Sequence, residues 1–338
     1  MKHIFRKHKY IMVFLILTIV AVSLVTIVNF VVFKSNVDNN DKSDIDQPEE
    51  YSYHFAMIYD NKRSDKLEKI YESANMFAKT QNAYVEIIGK DLPENYSKNA
   101  LMDIAIMSGV DGIILEGDDN VLLPEMINKA YENGIPVVTF MTDVENSQRS
   151  SFVGIGAYDV GFEFGREVNK INNRSNANNI LVLMSDSEGY YEQHTMYQSI
   201  IEALSDVDNI NIETKLIDSN NDFSSDEAIR DILLDMEKEP DIMICLSEKI
   251  TESAYQQVVE YNKVGSIDIM GIAASDMVIN AVKKQLVDYL ISFNKETMGI
   301  YCIEALMEYI NTGYVSEYYM VDTTLITPDN VEGGVADE

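Results

Sequence analysis

Basic side chains are scarce in this sequence, and their scarcity excludes one class of partner. The chain has 26 lysines and arginines against 56 aspartates and glutamates among its 338 residues. The first 34 residues hold five of the basic groups and none of the acidic ones, so 21 basic and 56 acidic groups remain, a formal charge of −35. A surface of this sign repels phosphate backbones, which proteins bind through clustered lysine and arginine. Nucleic acid is therefore excluded as a partner.

Cysteine is nearly absent, which excludes a scaffold held together by disulfides. The two cysteines are Cys245, in an apolar strand-like run, and Cys302, in a helical pattern. Small secreted domains that depend on disulfides carry many more. Buried free thiols are favoured over a bridge between the two, which is the alternative.

Histidine is also rare, and its four occurrences are not grouped. His3 and His8 lie within the first ten residues, His54 stands in a strand-like run and His194 is alone in a helical pattern. A metal centre or general base needs clustered histidine, cysteine or carboxylate. No Walker loop occurs, and the glycines in residues 154–161 do not have the spacing of a dinucleotide fingerprint. The sequence therefore predicts a binding protein without a cofactor rather than an enzyme.

One long apolar run is present near the beginning of the chain. Residues 11–33, IMVFLILTIVAVSLVTIVNFVVF, contain no charged side chain and follow a basic tip formed by residues 1–10. As a helix this run would be about 34 Å long, enough to cross the ~30 Å hydrocarbon layer of a bilayer. The positive-inside rule then predicts a cytoplasmic N-terminus and an extracytoplasmic remainder. A cleaved signal peptide is the alternative, but its apolar core is usually about 7–15 residues and ends in a small-x-small site. We therefore predict an uncleaved, single-pass membrane anchor.

The remainder of the chain has the pattern of an α/β protein. Residues 34–52 are rich in Asn, Asp and Ser, which is typical of a flexible stalk. Short apolar runs then alternate with amphipathic helical patterns, in two successive series. Such βαβ repetition predicts two lobes, each a parallel sheet with helices on both faces, with ligands bound beyond the carboxyl ends of the strands. The acidic tail, residues 328–338, is expected to be disordered.

Four strings of sequence carry a resemblance to a known family. They are residues 110–115 (VDGIIL), 123–130 (LPEMINKA), 133–139 (NGIPVVT) and 151–154 (SFVG). In order and spacing they resemble the type I periplasmic sugar-binding proteins, the family of ribose-binding protein. The effector domains of lac-repressor-type regulators share that fold, but no helix-turn-helix precedes it here.

The resemblance implies a receptor with two Rossmann-like lobes and a hinge of three crossovers, which closes around a small ligand. It places the N-terminal lobe at residues 53–156 plus 294–322. The C-terminal lobe would comprise residues 157–293 plus 323–327. The crossovers would lie near residues 156, 293 and 322.

The resemblance also implies where a ligand would bind, and this chain departs from the family at most of those positions. Residues that grip sugar hydroxyls in the family are matched here by Met141, Thr142, Met196, Ser247, Ala273 and Phe293. An aromatic residue that stacks on the sugar is matched by Phe223. Each lost hydrogen bond weakens binding by about 0.5–1.5 kcal/mol, so a less polar ligand, or none, is expected. The alternative is that Met141, Met196 and Phe293 fill the cores of the lobes.

Four further candidates follow strands of the first lobe. Tyr59 and Asp60 follow the first strand-like run, Glu116 follows the third, and Asp143 follows the fourth. The carboxylates of Asp60, Glu116 and Asp143 are candidates for binding a cation or an amine, and solvated loop acids are the alternative. The sequence predicts no metal site.

Three functions stay open at this point. The first is a membrane-anchored solute-binding receptor that delivers a small molecule to an ABC permease. The second is a ligand-sensing subunit that contacts a membrane histidine kinase. The third is an interaction protein that has kept the fold while its cleft lost the ability to bind a ligand.

Overall fold

The computed structural model describes residues 51–59, 64–92, 96–175, 177–186, 189–218, 222–234, 239–273 and 275–331. The predicted cytoplasmic tip and anchor, most of the predicted stalk and most of the acidic tail lie outside these residues. Within the described ranges, no helix has both the length and the apolar character needed to cross a bilayer. The anchor at residues 11–33 thus stays a prediction.

The described residues form twelve strands and nine α-helices. In chain order they are β1 (Tyr53–Ile58), α1 (Ser64–Thr80), β2 (Ala83–Ile87), α2 (Lys98–Ser108), β3 (Gly112–Glu116), α3 (Leu123–Glu132), β4 (Val137–Phe140), β5 (Ser151–Gly154), α4 (Ala157–Ser175), β6 (Asn179–Ser185), α5 (Tyr190–Ala203), β7 (Asn211–Ile217), α6 (Asp222–Leu234), β8 (Ile242–Cys245), α7 (Glu248–Glu260), β9 (Asp268–Ile272), α8 (Asp276–Lys283), β10 (Tyr289–Phe293), α9 (Lys295–Thr312), β11 (Tyr318–Met320) and β12 (Thr323–Ile326).

The strands form two six-stranded sheets. One has the order β11-β5-β4-β3-β1-β2 and the other has the order β12-β10-β9-β8-β6-β7. Among the described strands, every pairing is parallel except that of β10 with β12, which is antiparallel. The prediction of two α/β lobes with parallel sheets is confirmed. We call them the N-lobe, which contains β1, and the C-lobe, which contains β6.

The chain passes between the two sheets three times within the described residues. It leaves the N-lobe after β5 and enters the C-lobe sheet at β6. After β10 it returns, because α9 packs on the N-lobe core through residues such as Met298 and Leu306. It then adds β11 to the N-lobe sheet and β12 to the C-lobe sheet.

The central strands are buried because helices cover both faces of each sheet. Every residue of β3, β4 and β8 is buried. Two apolar clusters flank the N-lobe sheet and two flank the C-lobe sheet. Near-continuous apolar runs are typical of parallel strands with this double cover. Cys245 and Cys302 are buried free thiols in the cores of different lobes, as the sequence predicted, and burial raises the pKa of both.

Glycines allow the helices that flank the sheets to pack at short range. A Cβ on Gly161 of α4 would lie 2.1 Å from the carbonyl oxygen of Met196 in α5. A Cβ on Gly299 of α9 would lie 2.1 Å from Ser73 Oγ in α1. Close packing against α4 fixes the position of α5, whose first turn belongs to the site described next.

Candidate ligand-binding site between the lobes

The loops at the carboxyl ends of the two sheets meet in direct contact. The backbone N–H of Asp143, after β4 of the N-lobe, donates to Glu192 Oε1 of the C-lobe at 2.6 Å. The backbone N–H of Tyr190, at the start of α5, donates to Asp119 Oδ2 of the N-lobe at 3.3 Å. The carboxyl ends of β3, β4 and β6 therefore face one another across a shared rim.

A tight turn after β4 brings the N-lobe backbone to this rim. Met141 has a φ of +67°, and the N–H of Thr142 donates to the carbonyl of Phe140 at 2.9 Å, two residues back. An i→i+2 hydrogen bond around a positive φ defines a γ-turn that is rare and strained for a residue with a side chain. The turn is held by the N–H of Met141, which donates to the carbonyl of Val153 at 3.1 Å. It places Thr142 and Asp143 directly after the strand.

The loops after β3 and β4 also touch through their backbones. A Cβ on Gly117 would lie 1.9 Å from the carbonyl oxygen of Thr142. The N–H of Gly117 donates to the carbonyl of Phe140 at 3.2 Å. Only a residue without a side chain fits at position 117, and this fit holds the two loops together.

The carboxylate of Asp143 is bound within the N-lobe by Arg149. Arg149 donates through Nη2 to Asp143 Oδ2 at 2.6 Å and through Nε to Oδ1, in a bidentate pair. The two side chains are only 5% and 8% exposed. Burial lowers the pKa of Arg149, but its hydrogen bonds to Asp143 and the charge of Asp143 outweigh burial and raise it. The charge of Asp143 is thus neutralised inside the lobe.

Glu116 has a counter-ion of its own. Lys98 Nζ, at the start of α2, lies 3.0 Å from Glu116 Oε2 and 3.1 Å from Asp118 Oδ2. Tyr59, after β1, is buried, and its pKa is raised by burial and by the nearby Tyr71, Glu68 and Glu116. The paired carboxylates favour a structural role for Glu116 and Asp143 over cation binding.

Glu192 is the partly buried carboxylate on the C-lobe side of the rim. Burial raises its pKa, and the charges of Asp119 and Asp143 add to the rise, while backbone hydrogen bonds oppose it. In the described part of the chain no group of three histidine, cysteine or carboxylate side chains is arranged to hold a metal ion.

A hollow lies at the opposite end of the N-lobe sheet from the rim. It has a volume of about 580 Å³ and is lined by Tyr53, Asp111, Gly134, Pro136 and Tyr309, among others. Tyr53, Asp111 and Pro136 stand at or just before the amino ends of their strands. This hollow is therefore distinct from the rim where the lobes meet.

Comparison with protein families decides the identity of the fold. Residues 55–313 match the model of a family described as the periplasmic binding protein domain. The chain belongs to this family. The match covers well over half of the chain and includes both lobes, so the resemblance noted in the sequence is confirmed at the level of family and fold.

Solved structures of this fold are similar over nearly their whole length. GanP, a glucose-galactose binding protein from Geobacillus stearothermophilus, has a TM-score of 0.72 at 20% identity and covers 82% of this chain and 98% of its own. AraP, an arabinose binding protein from the same organism, has a TM-score of 0.68 at 18% identity and covers 83% and 98%. A XylFII–LytSN complex has a TM-score of 0.68 at 22% identity and covers 82% of this chain and 98% of its own. At these identities the likeness shows the fold alone. No curated protein sequence matches the chain.

The structure distributes the candidate ligand residues of this periplasmic binding protein unevenly. Glu116, Thr142 and Asp143 come together at the N-lobe side of the rim. Met196 and Ala273 are buried in C-lobe core clusters. The remaining candidates are Asp60, Met141, Phe223, Ser247 and Phe293.

Each of these remaining candidates lies at a strand or helix end or outside the described part. Met141 and Phe293 are partly buried against the N-lobe core, although Phe293 ends a C-lobe strand. Ser247 caps α7, because its side chain accepts from the N–H of Ile250. Phe223 belongs to α6, but its side chain lies outside the described part of the structure, as does Asp60. Their contribution to ligand binding stays a prediction.

Sequence reasoning missed four residues of the rim, namely Lys98, Asp119, Arg149 and Glu192. A signal was available for Arg149. In a chain with so few basic groups, an arginine two residues before the buried strand β5 is conspicuous, whereas Lys98 begins a helix and has no such signal. Asp119 and Glu192 carry no comparable signal, because acids are abundant throughout this sequence.

Proposed function

We propose that this chain is a membrane-anchored solute-binding receptor whose two lobes close on a small molecule. The observation that carries the proposal is the meeting of the carboxyl ends of both sheets at Asp119, Asp143, Tyr190 and Glu192. In open α/β sheets, ligands bind beyond these strand ends. Membership in the periplasmic binding protein family supports the same conclusion and favours a binding protein over an enzyme.

The proposed ligand is a small molecule that is sugar-like or less polar. Structural relatives named as glucose-galactose and arabinose binding proteins support the sugar class. The carboxylates of Glu116 and Asp143 are paired with Lys98 and Arg149, which leaves them less able to bind ring hydroxyls. Methionine at position 141 suits an apolar or irregular surface, because a thioether adapts its shape.

The full chain with a ligand panel tests this proposal in a thermal-shift screen. The panel contains D-glucose, D-galactose, L-arabinose, D-allose, nucleosides and amino acids. A ligand at 100 times its Kd stabilises the protein by about 2.7 kcal/mol, so a true ligand raises the melting temperature clearly. If no compound raises it, the receptor assignment loses its support and the interaction protein without a ligand is favoured.

A pair of variants locates the binding site. Thr142→Arg places a bulky charge at the rim and is expected to abolish the ligand-induced shift. Thr80→Arg, at the exposed end of α1, is the matched control and is expected to keep it. Equal shifts in both variants would place the ligand away from Thr142.

The proposed anchor would keep the receptor beside a membrane partner, which we take to be an ABC permease. The charge asymmetry around residues 11–33 supports a cytoplasmic N-terminus and an extracytoplasmic binding domain. Protease treatment of intact cells tests this topology. Digestion of the lobes is expected, and lobes that stay wholly protected would refute an extracytoplasmic location.

A ligand-sensing role is the second candidate. The XylFII–LytSN complex is a structure of this fold together with a second protein, which favours a partner other than a permease. The genes next to this one discriminate between the roles. An adjacent permease and ATPase would favour import, whereas an adjacent histidine kinase and response regulator would favour sensing.

A further inference from the structure

Helix α5 begins at a residue that cannot cap it with a side chain. Its N-cap residue is Gly189, with a φ of +62°, and a glycine has no side chain to accept from the first turn. The first N–H groups of a helix need acceptors, and the helix dipole favours a negative charge there. Asp119 of the N-lobe supplies the acceptor and the negative charge, because its Oδ2 accepts from the N–H of Tyr190.

A second hydrogen bond runs in the opposite direction across the same rim. Glu192, in the first turn of α5, accepts through Oε1 from the N–H of Asp143 in the N-lobe at 2.6 Å. Each lobe thus supplies one carboxylate as an acceptor, and each donates one backbone N–H to the carboxylate of the other lobe. The pattern has the reciprocity of a helix capping box, in which two side chains satisfy each other's backbone donors, but here the partners belong to different lobes.

The backbone N–H groups that donate to these carboxylates are fixed in position by their own lobes. Asp143 is held by the γ-turn at Met141 and by Arg149. The two backbones are also close at the rim, since a Cβ on Gly189 would lie 3.9 Å from Thr142 Oγ1. In each contact a side-chain carboxylate of one lobe therefore accepts from a backbone N–H of the other lobe.

We propose that Asp119 and Glu192 form an interlobe clasp that holds the lobes together before a ligand binds. The clasp makes Asp119 and Glu192 positioning residues for the proposed receptor, since they act on the arrangement of the lobes and not on the ligand. Hydrogen bonds to charged groups are among the stronger ones in proteins. Removal of either carboxylate is expected to lower the ratio of closed to open protein about tenfold. The proposal rests on the proposed function only for its purpose, because both hydrogen bonds join groups of the protein itself.

Electron–electron distance measurements between two spin labels test the clasp in the full-length protein, with no ligand added. Cysteines replace Met76 in α1 of the N-lobe and Leu216 in β7 of the C-lobe, both of which are exposed. The native cysteines are buried and do not compete for the label. The parent protein is expected to show one compact distance population. Asp119→Ala and Glu192→Ala are each expected to add an open population.

Two further variants make the outcome decisive. Glu192→Gln keeps the carbonyl acceptor for the N–H of Asp143 and is expected to retain the compact population. Glu227→Ala removes a carboxylate that is paired with Arg230 inside α6 and is expected to change nothing. Asp119 is exposed, so its loss leaves the lobes folded. A distribution identical to the parent's in either alanine variant, or an equal change in Glu227→Ala, would overturn the clasp. Because no ligand is used, a negative ligand screen leaves this result unaffected.

Discussion

Arg149 Nη2 lies 2.6 Å from Asp143 Oδ2, and the same guanidinium lies 5.1 Å from the centre of the Tyr318 ring. Arg149 also donates through Nη1 to the carbonyl of Glu317 at 3.3 Å. Tyr318 begins β11, the strand that precedes the last passage between the lobes. Arg149 thus connects the rim at Asp143 with the segment that leads into a crossover.

Loss of Arg149 is expected to destabilise the protein strongly. Arg149→Ala leaves the buried carboxylate of Asp143 without a counter-ion, which typically costs about 3–5 kcal/mol. The free energy of unfolding from urea titration measures the effect. Arg230→Ala is the matched control, because Arg230 pairs with the exposed Asp231 and its loss is expected to have no measurable effect. Similar losses of unfolding free energy in the two variants would show that the Arg149–Asp143 pair stabilises the protein no more than an exposed pair does.

A side chain at position 117 is expected to separate the loops after β3 and β4. In Gly117→Ala the new Cβ would overlap the carbonyl of Thr142, and overpacking of this kind costs about 1–3 kcal/mol. Thermal unfolding measures the loss. In the control Gly156→Ala the nearest atom is the carboxylate tip of Asp159, which can move away, so a smaller loss is expected. Equal melting temperatures for Gly117→Ala and the parent would show that the two loops can move apart without a loss of stability.

The two-lobed fold could be predicted because its cause is local. Strands such as β3 and β8 are covered on both faces, and this cover demands the apolar runs that are visible in the sequence. The turn at Met141 could not be predicted. Positive φ values usually belong to glycine or asparagine, and no local signal marks a methionine for one. Such violations of local rules occur at functional or strained sites.

The partners at the rim could be predicted only in part. Glu116 and Asp143 were candidates because each follows a strand-like run, which is a property of the local pattern, and Thr142 was a candidate through the resemblance to the family. The choice of Lys98 and Arg149 as their neighbours, and the reach of Glu192 across to the other lobe, depend on contacts between distant segments. Periodicity and turn chemistry carry no information about such contacts.

Stability is expected to fall as the pH rises from about 4 to about 6, because of Asp288. Burial raises the pKa of Asp288 to about 6, with a further rise from Asp268, while the hydrogen bond from the N–H of Ile269 opposes it. The folded protein therefore holds this proton more tightly than the unfolded chain. The stabilisation is complete below the unfolded pKa and is lost as the pH rises through about 6.

The variant Asp288→Asn isolates this effect. It is expected to be more stable than the parent at pH 7 by about 1–2 kcal/mol and equally stable at pH 3.5. Melting temperatures from pH 3.5 to pH 8 measure the difference. The control is Asp231→Asn at an exposed position, which is expected to follow the parent curve. A constant gap between Asp288→Asn and the parent at every pH would contradict the titration of Asp288.

The closed arrangement is expected to depend on pH through Glu192. Burial raises the pKa of Glu192, as do the nearby charges of Asp119 on one N-lobe loop and of Asp143, paired with Arg149, on the other. The hydrogen bond from the N–H of Asp143 opposes this rise, because it favours the charged carboxylate, so protonation of Glu192 at low pH is expected to weaken this half of the clasp. His194 and Tyr190 are the titratable neighbours on α5 itself.

The spin-label pair at positions 76 and 216 measures this dependence from pH 5 to pH 8. Glu192→Gln cannot titrate and is expected to lose the part of the pH dependence that belongs to Glu192. The same dependence in Glu192→Gln as in the parent would assign it to another group, with His194→Gln as the next variant to compare.

The central claim, that a small molecule binds between the two lobes, is tested most directly by locking them together. Asp119→Cys and Tyr190→Cys place two thiols where the lobes already share a hydrogen bond. The measurement is the thermal shift given by each sugar, nucleoside or amino acid that stabilises the parent, recorded on the oxidised and then the reduced double variant. We predict no shift after oxidation, because the ligand cannot enter, and a restored shift after reduction. A full shift in the oxidised protein would show that the ligand binds elsewhere.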